Sequence, residues 1–273
     1  MDRASILIEA DELLAKIDDS NLRIYDATIR FFRKDTEATA FEQYQNAHIP
    51  GAAFFDHQLF SDSTNPYMYM VLPEDALAEQ IGRFGIAKES EVIFYGIDML
   101  PAATRAWWLL RYAGHNNVRV LNGGLATWRA AGGKIENGTN QYPPTAFKCS
   151  LRPHMFVNKN DVLAAMNNET IKTEYTLPVE MYGGAYIPGS SFLDATDLMK
   201  EMGSFKPADD IVSKIEVDPR YKQTITYCGG GIAATVNAIA HLMVGNENVA
   251  VYDGSLTEWM GEGLPTANIK DEK

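Results

Sequence analysis

The chain repeats itself at long range, and this duplication limits the possible folds more than any other feature of the sequence. Three motif pairs carry the repeat: HIPGAAFFD (48–56) with YIPGSSFLD (186–194), SEVIFYG (90–96) with KQTITYC (222–228), and VLNGGLATW (120–128) with VYDGSLTEW (251–259). The start positions of the pairs lie 138, 132 and 131 residues apart. A repeat of this length is a whole domain rather than a solenoid unit. The sequence therefore predicts two copies of one domain.

Each copy alternates short β-rich segments with helical patterns. Strands are predicted at 21–27, 91–96, 117–123, 223–228 and 248–254, and helices at 8–18, 72–85, 103–114, 159–168 and 234–245. Gly114 and Gly245 follow apolar runs, where a glycine that ends a helix belongs. Alternating strands and helices imply parallel sheets with right-handed crossovers. The predicted fold class is thus α/β, each domain being a parallel sheet flanked by helices.

The segment NGTNQYPPTAFKCSLRPH breaks this pattern with proline, glycine and asparagine. It is predicted to connect the two copies. The expected division is a first domain at 1–137, a connector at 138–154 and a second domain at 155–273.

Composition excludes several classes of function. A formal charge of −12 argues against nucleic-acid binding, which needs a basic surface. No run approaches the roughly 18 apolar residues of a membrane span, and the acidic N-terminal segment does not resemble a signal peptide. With two cysteines, Cys149 and Cys228, a disulfide framework is not expected, and a cytoplasmic location is predicted. The five histidines show no HxxH or CxxC spacing, so no metal site is expected.

The stretch TITYCGGGIAAT (224–235) is the main candidate for chemistry. Cys228 follows a strand, three glycines follow Cys228, and a helix comes next. A short loop from a parallel strand into a helix lies at the carboxyl edge of the sheet, where open α/β folds bind ligands. Gly229, Gly230 and Gly231 tolerate positive φ, so the loop amides can turn inward and bind an anion. The same amides and the helix N-terminus favour a thiolate, which makes Cys228 a candidate nucleophile.

The run Cys228-Gly-Gly-Gly-Ile-Ala-Ala234 resembles the Cys-x-x-Gly-x-x-Ala active-site loop of rhodaneses and 3-mercaptopyruvate sulfurtransferases. The IPG motifs, LPEDALAEQIGRFGI and the two Gly-Trp segments are similar to tandem-domain members, from about residue 5 to residue 266. The resemblance implies two rhodanese-like domains. It also implies an enzyme that needs no cofactor, because the cysteine itself carries sulfane sulfur as a persulfide.

The resemblance also implies site residues. The loop amides of Gly229, Gly230, Gly231, Ile232, Ala233 and Ala234 would hold the persulfide and the departing anion. His48 and Arg33 are candidates for substrate binding, since the family counterpart of His48 faces the active cysteine. By register Gly96 takes the place of Cys228 in the first copy, and Asp98 and Pro101 follow it. The first domain is therefore expected to be inactive and to form one wall of the cleft.

The donor stays open between thiosulfate and 3-mercaptopyruvate. The segment ETIKTEYTLPVEMYGGA (169–185) contains no arginine, although family members usually supply anion-binding arginines there, and this slightly favours thiosulfate. Expected acceptors are cyanide, a thiol or a thioredoxin-like protein. The alternatives are a persulfide-binding scaffold without turnover and a cysteine phosphatase. The phosphatase would need an arginine six positions after the cysteine, where this chain has Ala234.

Overall fold

The computed structural model describes residues 1–201, 203–215 and 217–272. The first half contains the strands β1 (Leu7–Ile8), β2 (Leu22–Asp26), β3 (Ala53–Phe54), β4 (Glu91–Tyr95) and β5 (Val118–Leu121). Its helices are α1 (Arg3–Ile6), α2 (Ala10–Ala15), α3 (Ala40–Asn46), α4 (Glu74–Arg83), α5 (Leu100–Tyr112) and α6 (Gly124–Ala130). The strands form a parallel sheet in the order β1-β5-β4-β2-β3.

The second half contains β6 (Phe156–Val157), β7 (Ile171–Tyr175), β8 (Ala185–Tyr186), β9 (Ser191–Phe192), β10 (Met199–Lys200), β11 (Ser204–Phe205), β12 (Gln223–Tyr227), β13 (Val249–Tyr252) and β14 (Ala267–Asn268). Its helices are α7 (Lys159–Ala165), α8 (Ala208–Lys214), α9 (Ala234–Met243) and α10 (Ser255–Gly261). The parallel sheet has the order β6-β13-β12-β7-β9, which is the strand order of the first half over again. The predicted α/β fold class, with a parallel sheet in each half, is confirmed.

Single turns of 3₁₀ helix occur at His57–Phe60, Pro153–Met155, Met181–Gly184, Ala195–Leu198 and Ile269–Glu272. The segment between α6 and Pro153 carries no helix or strand and runs along the first half. Its backbone bonds to helix ends there: Thr145 N–H donates to the Gly82 carbonyl at 2.8 Å, and Ser150 N–H donates to the Ala113 carbonyl at 3.0 Å.

The IPG motifs have the same packing role in both halves. The amide of Ile49 donates to the hydroxyl of Tyr95 at 3.3 Å, and the amide of Ile187 donates to the hydroxyl of Tyr227 at 3.0 Å. Each tyrosine ends the central strand of its sheet, so the motif closes the core over that strand. The repeat at these positions is therefore explained by packing.

The two halves are joined by a pair of equivalent hydrogen bonds. At the end of β5, the Asn122 side chain accepts a hydrogen bond from the amide of Phe205 in the other half, at 2.9 Å. At the equivalent position after β13, the Asp253 carboxylate accepts from the amide of Val71 in the first half, at 2.8 Å. A loop of each half, which we call its arm, therefore contacts the residue after the last long strand of the other half. The arm of the first half carries Val71, and the arm of the second half carries Phe205. None of the helices within the described ranges has the length and apolar character needed to cross a bilayer.

Candidate active site

Cys228 lies directly after β12, and α9 begins six residues later at Ala234. Three carbonyl groups of the intervening loop accept hydrogen bonds from residues of α10 and α5. The Cys228 carbonyl accepts from the Leu256 amide at 3.0 Å, and the Gly229 carbonyl accepts from the Thr257 amide at 2.8 Å. The Gly231 carbonyl accepts from Arg105 at 3.2 Å. These oxygens would repel an anion, and they are engaged elsewhere.

The three loop glycines serve different purposes. Only Gly231 adopts positive φ, at +72°, and a Cβ there would lie 2.5 Å from the Asp253 carbonyl oxygen. Gly229 has ordinary φ, but its Cβ would lie 2.0 Å from the Tyr182 hydroxyl. At Gly230 the nearest atom to a Cβ is a Tyr69 ring carbon at 4.0 Å, so this position is open. Of the three glycines expected to tolerate positive φ, the loop thus uses this conformation at Gly231 alone.

The Ser255 side chain stabilises the conformation of the cysteine loop by hydrogen bonds to its backbone. Its Oγ accepts from the amides of Cys228 and Gly231, each at 3.1 Å, and donates to the Tyr252 carbonyl at 2.8 Å. The residue is fully buried and has φ +48°, a conformation that costs a side-chain-bearing residue energy. Two of the loop amides are therefore committed to a hydroxyl oxygen and are not free for a ligand.

Four other loop amides remain for a ligand. The N–H groups of Gly229, Gly230, Ile232 and Ala233 have no hydrogen-bond acceptor within the described part of the chain, and these residues line the cavity that contains Cys228. Ala234 begins α9 and is buried outside the cavity lining. Free amides beside the N-terminus of a ten-residue helix provide partial positive charge next to the sulfur.

The cavity has a volume of about 300 Å³ and is built from both halves. The first half contributes Phe31, Phe32, Met68, Tyr69, Met99 and Pro101. The second half contributes Leu177, Pro178, Met181, Tyr182, Asp194, Ala195, Thr196, Met199, Cys228, Gly229, Gly230, Ile232, Ala233 and Thr257. Cys228 is 2% exposed and lines this cavity. A larger cleft of about 690 Å³ lies in the first half, around Tyr44, Phe54 and Tyr142, and contains neither cysteine.

His48 lies outside the cavity, contrary to the expectation of substrate binding. It is fully buried, its Nδ1 donates to the Tyr44 carbonyl at 2.7 Å, and its ring stacks on the Tyr44 ring at 4.3 Å. Its Nε2 lies 3.1 Å from Asn140 Nδ2 and 3.5 Å from the Glu136 carboxylate. His48 therefore ties its own loop to the segment after α6.

Arg33 also fails to reach the cavity. Its guanidinium donates to the carbonyls of Lys34 at 3.0 Å and Glu37 at 2.8 Å, on the surface of the first half. Its neighbour Arg30 is paired with Glu37 and Asp98, each at 3.3 Å. Both cations cap a surface loop, and neither is placed to hold a substrate.

Arg105 is the buried cation that the sequence did not reveal as part of the site. It is 2% exposed, and it bonds to the Gly231 carbonyl, to the Tyr69 carbonyl at 2.6 Å and to Asp253 at 2.7 Å. It therefore joins the first half to the back of the cysteine loop. Its charge is neutralised by Asp253, and it does not line the cavity. The only signal in the sequence was a lone arginine in the apolar run ATRAWWLL.

The tip of the first half's arm, NPYMYM, also belongs to the site. Met68 and Tyr69 line the cavity. Tyr67 instead contacts the second half, where its hydroxyl donates to Glu262 at 3.2 Å.

The first half has no equivalent nucleophile. Gly96 follows β4 as Cys228 follows β12, and a Cβ at Gly96 would lie 2.4 Å from the Met99 carbonyl oxygen. A cysteine does not fit there, and Met99 and Pro101 face the cavity of the other half instead.

Cys149 has the character of a structural thiol. It is 8% exposed, and burial together with the nearby carboxylates of Glu74 and Asp75 raises its pKa to about 11. Neither cysteine is in a disulfide. Among the residues with described placement, no cluster of three or more histidine, cysteine or acidic side chains could hold a metal ion.

Comparison with known proteins agrees with this geometry. The family model of the rhodanese-like domain matches residues 9–131 and 169–262. The 3-mercaptopyruvate sulfurtransferase of Escherichia coli K12 is 30% identical over 96% of this chain and 98% of its own length. The thiosulfate sulfurtransferase of Cricetulus griseus is 28% identical over 92% of this chain and 89% of its own length.

A solved structure is similar over nearly the whole fold. The crystal structure of SseA from Escherichia coli, a 3-mercaptopyruvate sulfotransferase, superposes with a TM-score of 0.82 at 31% identity, covering 91% of this chain and 98% of that one. The matched segments contain four of the five strands of each parallel sheet, all but β1 and β6, and the Cys228 loop. The chain therefore belongs to the rhodanese family and carries the family's domain twice.

Proposed function

We propose that this chain is a sulfurtransferase in which Cys228 carries sulfane sulfur from a small donor to a thiophilic acceptor. The relatives named above act, by their names, on 3-mercaptopyruvate and thiosulfate. The observation that carries the proposal is the position of Cys228. Cys228 is buried, lines a cavity and is followed in the chain by loop amides that lack protein acceptors.

In the first step the Cys228 thiolate attacks the outer sulfur of thiosulfate. A bond forms between Sγ and that sulfur, and the sulfur–sulfur bond of the donor breaks, so that sulfite leaves with the electron pair. With 3-mercaptopyruvate a carbon–sulfur bond breaks instead, and the pyruvate enolate takes up the thiol proton. Both routes leave a Cys228 persulfide. The amides of Gly229, Gly230, Ile232 and Ala233 would stabilise its charge.

In the second step an acceptor attacks the outer sulfur of the persulfide. Cyanide would leave as thiocyanate, a thiol would become a persulfide, and a thioredoxin-like protein could act as the thiol. Cys228 returns as a thiolate, so no cofactor enters the cycle. A cytoplasmic setting, which would keep the thiol reduced, stays a prediction from composition.

Intact-protein mass spectrometry after incubation with each donor tests the proposal. The expected result is one added sulfur, lost again after cyanide with release of thiocyanate, and absent from Cys228→Ser. Cys149→Ser is the matched control and should load as the wild type does. A wild-type chain that takes up no sulfur would overturn the proposal, and loading without repeated turnover would favour a persulfide-binding scaffold.

A further inference from the structure

The cavity around Cys228 has an unusual charge for a site that receives an anionic donor. Within the described residues, no lysine, arginine or histidine lines it, and Asp194 is the only charged side chain that does. The nearby cations Arg105 and Arg30 are both paired with carboxylates. A multiply charged anion entering this space would lose its hydration without meeting a side-chain cation.

Apolar side chains line the cavity where cationic side chains would be expected to bind an anionic donor. Leu177 and Pro178 follow the end of β7 and line the cavity, on the arginine-free segment of the second half. The rings of Phe31 and Tyr69 from the first half also line the cavity, and they lie 6.4 Å apart at a steep angle. Four methionines, Met68, Met99, Met181 and Met199, complete the wall. Methionine and aromatic side chains adapt to apolar ligands of irregular shape.

The apolar wall extends from the floor to the mouth of the cavity. Met199 and Ala195 are each 3% exposed, whereas Phe32 is 86% exposed and Met68 is 65% exposed. Large apolar side chains in contact with solvent around a concave site indicate a surface that a ligand covers. The hydrogen-bond donors that lack an acceptor among the described lining residues include the free backbone amides beside Cys228.

From this arrangement we infer that the cavity selects a sulfur donor whose sulfane sulfur is attached to an apolar organic group, of the class of an aryl thiosulfonate. This inference rests on the proposed sulfur transfer and specifies its substrate class. The thiosulfonate end carries a single negative charge, which the loop amides hold. The ring lies against the methionine and aromatic wall, where thiosulfate and 3-mercaptopyruvate have no group to place.

The chemistry is that of the proposed first step. The Cys228 thiolate attacks the terminal sulfur of the thiosulfonate and forms a new sulfur–sulfur bond. The bond between that sulfur and the sulfonyl sulfur breaks, and the electron pair leaves with the arenesulfinate. The product on the protein is the same Cys228 persulfide.

Comparing kcat/KM for benzenethiosulfonate, methanethiosulfonate and thiosulfate, with cyanide as the acceptor, tests the inference. The first two donors share the reacting group and the charge, so their ratio reports the ring alone. We expect benzenethiosulfonate to exceed methanethiosulfonate by roughly ten- to hundred-fold, and thiosulfate to be the poorest. Equal values for the two thiosulfonates, or a preference for thiosulfate, would overturn the inference while leaving the proposed function intact. No sulfur uptake from any donor would overturn both.

A cation placed on the wall should reverse the preference. In Phe32→Arg and Met68→Arg, both at exposed positions where folding is not at risk, kcat/KM should fall for benzenethiosulfonate and rise for thiosulfate. The matched control is Val212→Arg on α8, which is 58% exposed and does not line the cavity. This control adds the same charge and should change neither value. If all three variants behave alike, the effect is one of net charge and the wall does not select the donor.

Discussion

Thr104 and Thr235 occupy equivalent positions in the two copies, 131 residues apart, and their hydroxyl oxygens lie 2.8 Å from each other. The helices that carry them, α5 and α9, pack face to face where the halves meet. When equivalent residues touch, the two units are related by a local two-fold axis, as in an isologous dimer. The duplicated domains thus bury the same helix against each other. Cys228 precedes one of these helices, and the wall residue Met99 precedes the other.

The Thr104–Thr235 contact should show energetic coupling. Each hydroxyl oxygen also lies within hydrogen-bond distance of a carbonyl one turn back, so two protons serve three contacts. A single Thr→Val change removes one of these contacts from its fully buried partner. We expect each single variant to lower the free energy of unfolding by about 1 kcal/mol. The double variant should cost less than the sum of the two. Urea unfolding of all four proteins measures the coupling, and strict additivity would contradict it.

Arg105→Met should be strongly destabilising, because it leaves the buried Asp253 carboxylate without its cation. A loss of roughly 3–5 kcal/mol is expected for breaking a buried ion pair. Adding Asp253→Asn should recover part of the loss, since the asparagine oxygen can still accept from the Val71 amide. Thermal unfolding of the single and double variants checks the prediction. A double variant less stable than Arg105→Met would contradict it.

Two substitutions at Ser255 distinguish the gain from its hydrogen bonds from the cost of its positive φ. Ser255→Gly removes the acceptor of two loop amides but relieves the positive φ, whereas Ser255→Ala removes the acceptor and keeps the strain. The alanine variant should therefore be less stable than the glycine variant by about 1 kcal/mol. Both should load sulfur more slowly than the wild type, as followed by mass spectrometry. An alanine variant as stable as the glycine variant would contradict the assignment of strain.

Gly229 and Gly230 form a matched pair for an added methyl group. Gly229→Ala should lower the unfolding midpoint, because the new Cβ collides with the Tyr182 hydroxyl, whereas Gly230→Ala should change stability by no more than about 0.5 kcal/mol. Tyr182→Ala should rescue the first variant, since it removes the colliding ring. Equal losses for the two alanine variants, or failure of the rescue, would show that the collision is not the cause.

Asp26 should give the stability a pH dependence opposite to that of a paired carboxylate. Burial raises its pKa from 3.8 to about 6, although the Thr28 hydroxyl and amide both donate to it. Between these values the folded chain binds more protons than the unfolded chain, so stability from this group falls as pH rises and the loss is complete above about 6. Asp26→Asn should therefore gain up to roughly 3 kcal/mol at neutral pH. Denaturation from pH 4 to pH 8 checks this, and parallel curves for variant and wild type would contradict it.

The sequence predicted the architecture well where the strands are apolar. The predicted segments 91–96, 223–228 and 248–254 match β4, β12 and β13 to within two residues, and Gly114 and Gly245 follow α5 and α9 with positive φ. The motif repeat and the strand orders agree because both halves bury the same faces. The division into 1–137, 138–154 and 155–273 stays a prediction.

The missed strand β7 shows why polar segments mislead. Its sequence, IKTEY, contains Lys172 and Glu174, yet Glu174 is 1% exposed. Burial opposes its charged form, but the hydrogen bond and charge of His241 and the Lys172 ammonium outweigh this and hold the pKa of Glu174 below its ordinary value. The contribution of His241 comes from α9, about seventy residues later in the chain, and a local pattern does not contain it.

The part of the site formed by consecutive residues was predictable from the sequence, whereas the part contributed by distant residues was not. Cys228 and its loop were identified because all the necessary residues are consecutive. His48 is expected at the site because its family counterpart faces the active cysteine, and Arg33 because it is a cation of the first half, whereas in the structure their side chains bond to local backbone. The residues that complete the cavity from the first half, such as Phe31 and Tyr69, are brought there by the pairing of the halves, which depends on contacts like Thr104–Thr235.

The shared wall of the cavity means that the reactivity of the thiol depends on the assembled pair of domains. A polypeptide holding only the second half would keep Cys228 and its loop amides, but bulk water would replace Phe31, Tyr69 and Met99. A persulfide formed there would be open to hydrolysis, to oxidants and to any passing thiol. In the proposed function, the first half, which has Gly96 where the second half has Cys228, would therefore shield the persulfide, and this would give selection a reason to retain it.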